Sequence, residues 1–350
     1  MFFTIRLKKA ILLSIAVIFL VCTTSIFSYL ALSDRYYKTV KVNSDSAVQE
    51  KKYIKWVDLT VPYGVMEKTL NLDIKSQGTE HPLDWVELMA YLAAKYGGNF
   101  KNYKSKDLDS FVARLSSGEK LEDITKDMKY FSYYLEAYTA IFGEFVGHFK
   151  VQVDEGGKKV WQDRYGLKVF SPIAAGYGYF HCDDFGNGRT FGYRRKHLGN
   201  DLMGSIGTPI IAVESGTVEA LGWNIYGGWR IGIRSFDKKR YYYYAHLRKG
   251  HPYHKELSEG QIVKAGDVIG YLGMTGYSRR EDVNNIQTPH LHFGLQLIFD
   301  EVQKDGINQI WVDVYNIVKL LKKHRSGVFR NQETKDFYRV FDIHDPSVPD

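Results

Sequence analysis

The stretch Thr288-Pro289-His290-Leu291-His292-Phe293 opens an apolar run that continues to residue 297. In an extended strand residues two apart share a face, so His290 and His292 project into one space. One can ligate a metal while the other stands beside it. Two further elements carry imidazoles: His197-Leu-Gly-Asn-Asp201 and Tyr244-Ala-His246-Leu247. The first offers an imidazole and a carboxylate four residues apart. Gly199 between them, with Gly204 and Gly207 soon after, predicts a loop rather than a helix. A histidine, an aspartate and a second histidine make three protein ligands, the number that catalytic zinc uses while keeping a fourth position open. The remaining imidazoles suit the proton transfers and oxyanion stabilisation that amide hydrolysis requires.

These elements sit on a body of short strand-like runs broken by glycines, at 210–213, 229–233, 241–245, 268–272 and 291–297. Turn signals at that spacing predict an antiparallel barrel or sandwich. Tyr241 to Tyr244 alternate across a strand, two toward the core and two outward, where they either pack or wall a groove. Arg189 either pairs with an aspartate or orients substrate.

The same region resembles the lysostaphin/LytM-type zinc endopeptidases that cleave peptide bonds in peptidoglycan. The likeness runs through Asp184-Phe-Gly-Asn-Gly-Arg189, His197-Leu-Gly-Asn-Asp201, Gly207-Thr-Pro-Ile-Ile-Ala212, Gly216-Thr-Val218, Tyr226-Gly-Gly and Tyr244-Ala-His-Leu247. It continues through Gly260-Gln-Ile-Val-Lys-Ala-Gly-Asp-Val-Ile-Gly270, Gly273-Met-Thr-Gly276 and Thr288-Pro-His-Leu-His-Phe293, in family order over roughly residues 165–300. The resemblance implies Zn2+ bound by His197, Asp201 and His292, with His246 and His290 as the catalytic histidines. Two departures stand out. Residues 279–287 form an insertion expected at the groove rim, and the family's usual Glu after His-Leu-His-Phe is Gly294. A second insertion, 249–256, brings His251 and His254, which read as a surface loop rather than extra ligands. The segment from Gly260 to Gly270 also resembles a biotinyl or lipoyl carrier hairpin. Lys264 lacks the exposed-turn setting of a modified lysine, so only the architecture is shared.

Ahead of this body the chain changes character. Residues 10–32 form a nearly unbroken apolar run preceded by Arg6, Lys8 and Lys9, long enough to span a bilayer, with a cleaved signal ending near Ala31-Leu32-Ser33 as the alternative. Arg35, Lys38 and Lys41 nearly balance the charge before the run, so the expected outward orientation comes from the site chemistry. Next comes a helical middle. Asp84 caps a helix stopped by Gly97-Gly98, and a second carries Leu108, Phe111, Val112 and Leu115 up to Gly118. A third, long one places Leu121, Ile124, Met128, Phe131, Leu135, Tyr138, Phe142 and Phe145 along a seam. This middle reads as a bundle that spaces or regulates the glycine-broken β body. A second, glycan-cleaving enzyme using Glu87, Glu136 or Glu144 is the rival, without a motif to mark it. Asp313 caps a late helix over Val314, Ile317, Val318 and Leu321, and the last 25 residues read as a polar, extended tail.

The expected architecture is therefore α+β and multidomain. It comprises a cytoplasmic tail and transmembrane anchor (1–33), a mainly helical extracytoplasmic domain (34–164), and an antiparallel β barrel-sandwich hybrid peptidase domain with its late helix (165–325). A polar tail (326–350) completes it. The 350 residues are 44% hydrophobic and 25% charged, which excludes extensive disorder. Two cysteines exclude a disulfide scaffold. A net charge of +7, scattered along the chain, suits an anionic wall or membrane and not a nucleic-acid stripe. The expected function is a single-pass, cell-membrane zinc endopeptidase acting on peptidoglycan cross-links or stem peptides. Its expected partners are peptidoglycan peptide, the lipid bilayer through the N-terminal helix, and cell-envelope proteins through the helical domain, with no nucleic acid. The alternatives are a catalytically silent scaffold that recruits other wall hydrolases and a protease of non-wall proteins.

Overall fold

The computed structural model describes residues 53–306 and 308–349. The apolar run at 10–32, its membrane-anchor reading and Cys22 lie outside the described residues. Among the described residues no helix is long and apolar enough to cross a membrane. Cys182 is a free thiol.

Among the described residues five α-helices come first: Tyr63–Ser76, Trp85–Tyr96, Ser105–Ser116, Leu121–Thr125 and Phe131–Phe142. Asp84 caps the second by accepting from the amides of Val86 and Glu87, and Gly97 ends it in the left-handed region at φ 56°. The long seam helix is interrupted. The Met128 amide turns back to the Thr125 carbonyl and the Phe131 amide to the Met128 carbonyl. Each turn advances three residues, so the apolar spacing survives a break that periodicity alone does not reveal.

The strands begin with a hairpin of β1 (Val146–Glu155) and β2 (Lys158–Leu167). The 164/165 boundary drawn from sequence falls inside β2. Short strands β3 (Phe180–His181), β4 (Gly188–Arg189) and β5 (Arg195–Lys196) lead into the main sheet. Its strands are β6 (Asn200–Met203), β8 (Gly216–Asn224), β9 (Gly228–Ser235), β10 (Arg240–Ala245), β11 (Ile262–Val263), β13 (His290–Leu297) and β14 (Ile310–Val312), joined by β3. They run antiparallel in the order β11-β8-β9-β10-β13-β6-β3, and β14 continues the edge of β13 that β6 begins. The sheet ends at β11 and β3, so the described residues form no closed barrel, contrary to the barrel expectation. A ladder of β7 (Pro209–Ile211) and β12 (Val268–Tyr271) lies beside it, and the helix Tyr315–Leu321 comes after β14. The Asp313 carboxylate accepts from the Tyr315 amide, although the cap position itself is Val314, one residue later than the sequence suggests.

The end of the chain is folded onto the body rather than left as an extended tail. Strands β15 (Val328–Arg330) and β16 (Phe337–Arg339) form a hairpin, and β17 (Ile343–His344) pairs with β1. Lys168 is buried and bonds Asp345 at 3.0 Å.

One apolar core runs from the helices into the sheet, with Leu88, Met89 and Phe142 in the same cluster as Tyr242, Leu291 and Phe293. Strand parity explains it. Tyr242 and Tyr244 point inward at 1% and 0% exposure, while Tyr241 and Tyr243 line the opposite, open face.

Candidate active site

The open face of the sheet is a groove of about 1040 Å³. All five residues singled out from sequence meet in it. Asp201 on β6 lies directly opposite His292 on β13, and His290 opposite Met203. His197 stands just before β6, its amide held by the Asn187 carbonyl at 2.8 Å. His197 Nε2 lies 2.7 Å from His292 Nδ1 and 3.0 Å from Asp201 Oδ1, which is 3.3 Å from His292 Nδ1.

These separations suit a metal ion. Tetrahedral zinc with bonds of about 2.0–2.1 Å puts its ligand atoms about 3.3 Å apart. Two imidazole nitrogens and a carboxylate oxygen, all within 4.8 Å of one another, are a donor set that zinc accepts. Gly199 makes the convergence possible. A Cβ there would lie 2.6 Å from the Phe293 carbonyl oxygen and 2.8 Å from His292 Cε1, so the loop between His197 and Asp201 reaches the strand only without a side chain.

A second layer orients the ligands. His197 Nδ1 lies 3.1 Å from the Asp184 carbonyl oxygen and 3.2 Å from its carboxylate, which turns the Nε2 lone pair to the centre. Arg189 bridges Asp184 at 2.8 Å and Asp201 Oδ2 at 3.0 Å, so its pairing reading is the one found. Burial disfavours the Asp201 carboxylate, but hydrogen bonds from His197 and His292 outweigh it and hold Asp201 far below the usual carboxylate range. Burial likewise opposes charge on His197, yet Asp184 and Asp201 raise it to about 9. A bound cation takes the place of that proton. Burial keeps His292 neutral below its ordinary value.

His246 and His290 stand apart from the ligands, with ring centroids 4.7 Å from one another. Each is fixed through Nδ1, which lies 2.8 Å from a backbone carbonyl, Thr275 for His246 and Thr288 for His290. Both Nε2 atoms are thereby left as acceptors. His290 Nε2 lies 3.7 Å from Asp201 Oδ1. Burial, then the neighbouring His290 and His292, hold His246 well below its ordinary value. His246 also adopts φ 62°, a conformation that costs a non-glycine residue of order 1 kcal/mol or more and is held here by the Gly227 carbonyl on its amide.

The 279–287 insertion does reach the groove rim, where Asn285, Ile286 and Gln287 line it. Its Asp282 accepts from Trp229 Nε1 and the Gly250 amide, both at 2.8 Å. At Gly294 a Cβ would lie 2.8 Å from the Leu198 carbonyl oxygen and 2.9 Å from the Trp311 ring, so the indole fills the space of the missing carboxylate. His251 and His254 join no ligand set. His251 pairs with Asp336 at 3.0 Å, and His254 is buried rather than on a surface loop, because the C-terminal hairpin covers it. Sequence reasoning assigned no role to Asp184, Trp311 or the Thr275 and Thr288 carbonyls. Asp184 stood in a quoted motif, but its contact with His197 depends on a loop path that spacing does not encode.

Residues 195–305 match peptidase family M23. The chain is 41% identical over 124 residues to the L-Ala–D-Glu endopeptidase of Bacillus subtilis, a match covering 35% of this chain and 36% of that protein. It is 38% identical over 99 residues to the glycyl-glycine endopeptidase ALE-1 of Staphylococcus capitis, covering 28% of this chain and 24% of the relative. The catalytic domain of the antimicrobial peptidase lysostaphin from Staphylococcus simulans aligns at 34% identity over 34% of this chain and 80% of that one, with a TM-score of 0.27. This chain thus spans little more than a third of the Bacillus relative. The motif order, the converging ligand set and the family match agree that residues 195–305 are a peptidase family M23 domain.

Proposed function

We propose that this chain is a zinc-dependent endopeptidase that hydrolyses peptide bonds in peptidoglycan. One observation carries the proposal: three ligand atoms converge beside two imidazoles whose Nε2 atoms are free to accept protons, all in one groove. Relatives named for peptidoglycan-type peptide bonds support the substrate class.

His197 Nε2, Asp201 Oδ1 and His292 Nδ1 would hold the ion. When bound, zinc supplies Lewis acidity that makes a water nucleophilic near neutral pH and polarises the scissile carbonyl. The chain's residues do the rest. One of His246 and His290 accepts the proton of the attacking water at Nε2 and passes it to the leaving amine. The other, when it has taken a proton from solvent at Nε2, donates it in a hydrogen bond to the oxygen on which negative charge develops. The carbonyls of Thr275 and Thr288 fix both tautomers, so neither ring must turn during the reaction. Asp184 and Arg189 keep the ligands in register. Because this substrate lies outside the cytoplasm, the proposal places residues 54–350 on the outer side of the membrane.

The purified chain incubated with cell walls should release new amino groups, with zinc required and His290→Ala inactive. Muropeptides left unchanged by the zinc-loaded chain would refute the proposal.

A further inference from the structure

Strand β9 carries two arginines on the groove face, and they differ in one respect. Arg234 is paired, with Glu301 at 2.5 Å and Glu219 at 3.6 Å. Arg230 lines the groove and, among the described residues, no carboxylate pairs with its guanidinium. Its cross-strand neighbours are small. Gly222 faces it on β8, and on β10 it lies one step beyond the Tyr244–Ile231 pair, beside Ala245. Two tyrosines flank it. The Tyr241 hydroxyl lies where a side chain on Gly232 would be, and the Tyr243 hydroxyl where one on Gly227 would be. The Tyr243 hydroxyl accepts from Asn224 at 2.8 Å and so can donate its own proton, and the Tyr241 hydroxyl has no partner among the described residues. A half-buried cation with hydroxyl donors on either side is an anion-binding arrangement, and a guanidinium matches a carboxylate with two parallel hydrogen bonds.

The position relative to the metal ligands gives the arrangement its meaning. Ala245 on β10 faces His292 on β13. Arg230 is thus two strand gaps from a ligand, about 10 Å, the length of about three extended residues. An extended arginine side chain is long enough to cover part of that distance.

We propose that Arg230, with Tyr241 and Tyr243, forms a subsite that binds a carboxylate on the substrate within two residues of the scissile bond, making this groove selective for acidic peptides. The proposal rests on the peptidase reading of the same groove.

The test uses two synthetic peptides of one sequence, one with a free carboxylate adjacent to the scissile bond and one with that group as a primary amide. Their dissociation constants are measured on the zinc-loaded full chain carrying His290→Ala, which keeps them uncut. The carboxylate peptide should bind at least tenfold more tightly. Adding Arg230→Gln should bring the two within twofold by weakening only the carboxylate peptide, and Arg230→Lys should keep part of the preference. Equal affinities on the starting protein, loss of binding to both peptides alike in Arg230→Gln, or no binding of either peptide overturns the subsite. Wall hydrolysis by the wild-type chain is read separately. Its failure would remove the peptidase reading, while the peptide pair still decides whether Arg230 selects a carboxylate.

Discussion

The main sheet carries a buried charged cluster on each face, and the two are built in opposite ways. On the inner face Arg240 is fully buried and closes on itself. Its Nε and Nη2 donate to Glu214 at 2.7 and 2.9 Å, Nη2 also to Asp237 at 3.0 Å, and Nη1 to the Ala140 carbonyl at 2.7 Å. Tyr242 donates to Glu214 as well. Every charge there has a partner of opposite sign, and the carbonyl bond ties the helix Phe131–Phe142 to the sheet. On the outer face His197, Asp201 and His292 bring two nitrogens and an oxygen to one point. Arg189 stands behind them, against the far oxygen of Asp201 and the Nδ1 side of His197, each at 3.0 Å. The inner cluster gathers acceptors around one guanidinium, whereas the outer one draws two imidazole nitrogens and a carboxylate oxygen to within 2.7–3.3 Å of one another, a set that a divalent cation satisfies.

Substitutions on the two faces should therefore fail in different ways. The steepest loss falls on the imidazoles beside the ligand set. His246→Ala and His290→Ala should each lower kcat by about 10²–10⁴ while zinc stays bound, as steady-state kinetics with metal analysis would show. Loss of zinc from either variant would move that histidine into the ligand set. On the inner face Arg240→Met should leave zinc binding intact but lower stability by about 3–5 kcal/mol in denaturant unfolding, because Glu214 is left buried without its partner. Adding Glu214→Leu should recover most of that loss, since an apolar pair removes both charges. Arg189→Gln, which strips the ligands of their support, should weaken zinc affinity by about 10–100-fold in a chelator competition.

A weaker response is expected from a charge that belongs to neither type. Burial, then Asp84, Glu122 and Asp73, raise the Glu87 carboxyl to about 7. A folded-state value above the unfolded one favours the folded chain while the proton is on. That contribution is full below about 4.5 and is lost as pH rises through 7. Glu87→Gln should therefore match the wild type at pH 4 and exceed it by about 1 kcal/mol at pH 8, measured by unfolding at both values. The same crowding of carboxylates, with Glu144 paired to Lys168, gives the helices a structural reading for their acidic residues.

The site was more legible than the fold around it. His290 and His292 share a face because strand parity is local, and His197 and Asp201 are marked by the glycine that lets their loop approach. The tyrosine run was legible as alternating, but only the register with β9 and β13 shows that Tyr241 and Tyr243 face the groove. Sheet closure was not legible, since it depends on which distant strands pair, and β11 and β3 never meet. The seam on the helices hid a break because a three-residue turn keeps apolar residues in step. Gly294 was visible as a departure, but its cause, Trp311 seventeen residues later, lies on a strand placed by long-range pairing. His254 looked like loop sequence because the hairpin that buries it comes from the chain's end.

Anomalous diffraction at the zinc edge from crystals of the zinc-loaded chain is the decisive experiment for the metal centre. A peak within bonding distance of His197 Nε2, Asp201 Oδ1 and His292 Nδ1, absent from Asp201→Ala crystals, is expected. A zinc peak held by other residues, or none in the groove of a chain that still hydrolyses walls, would refute that centre.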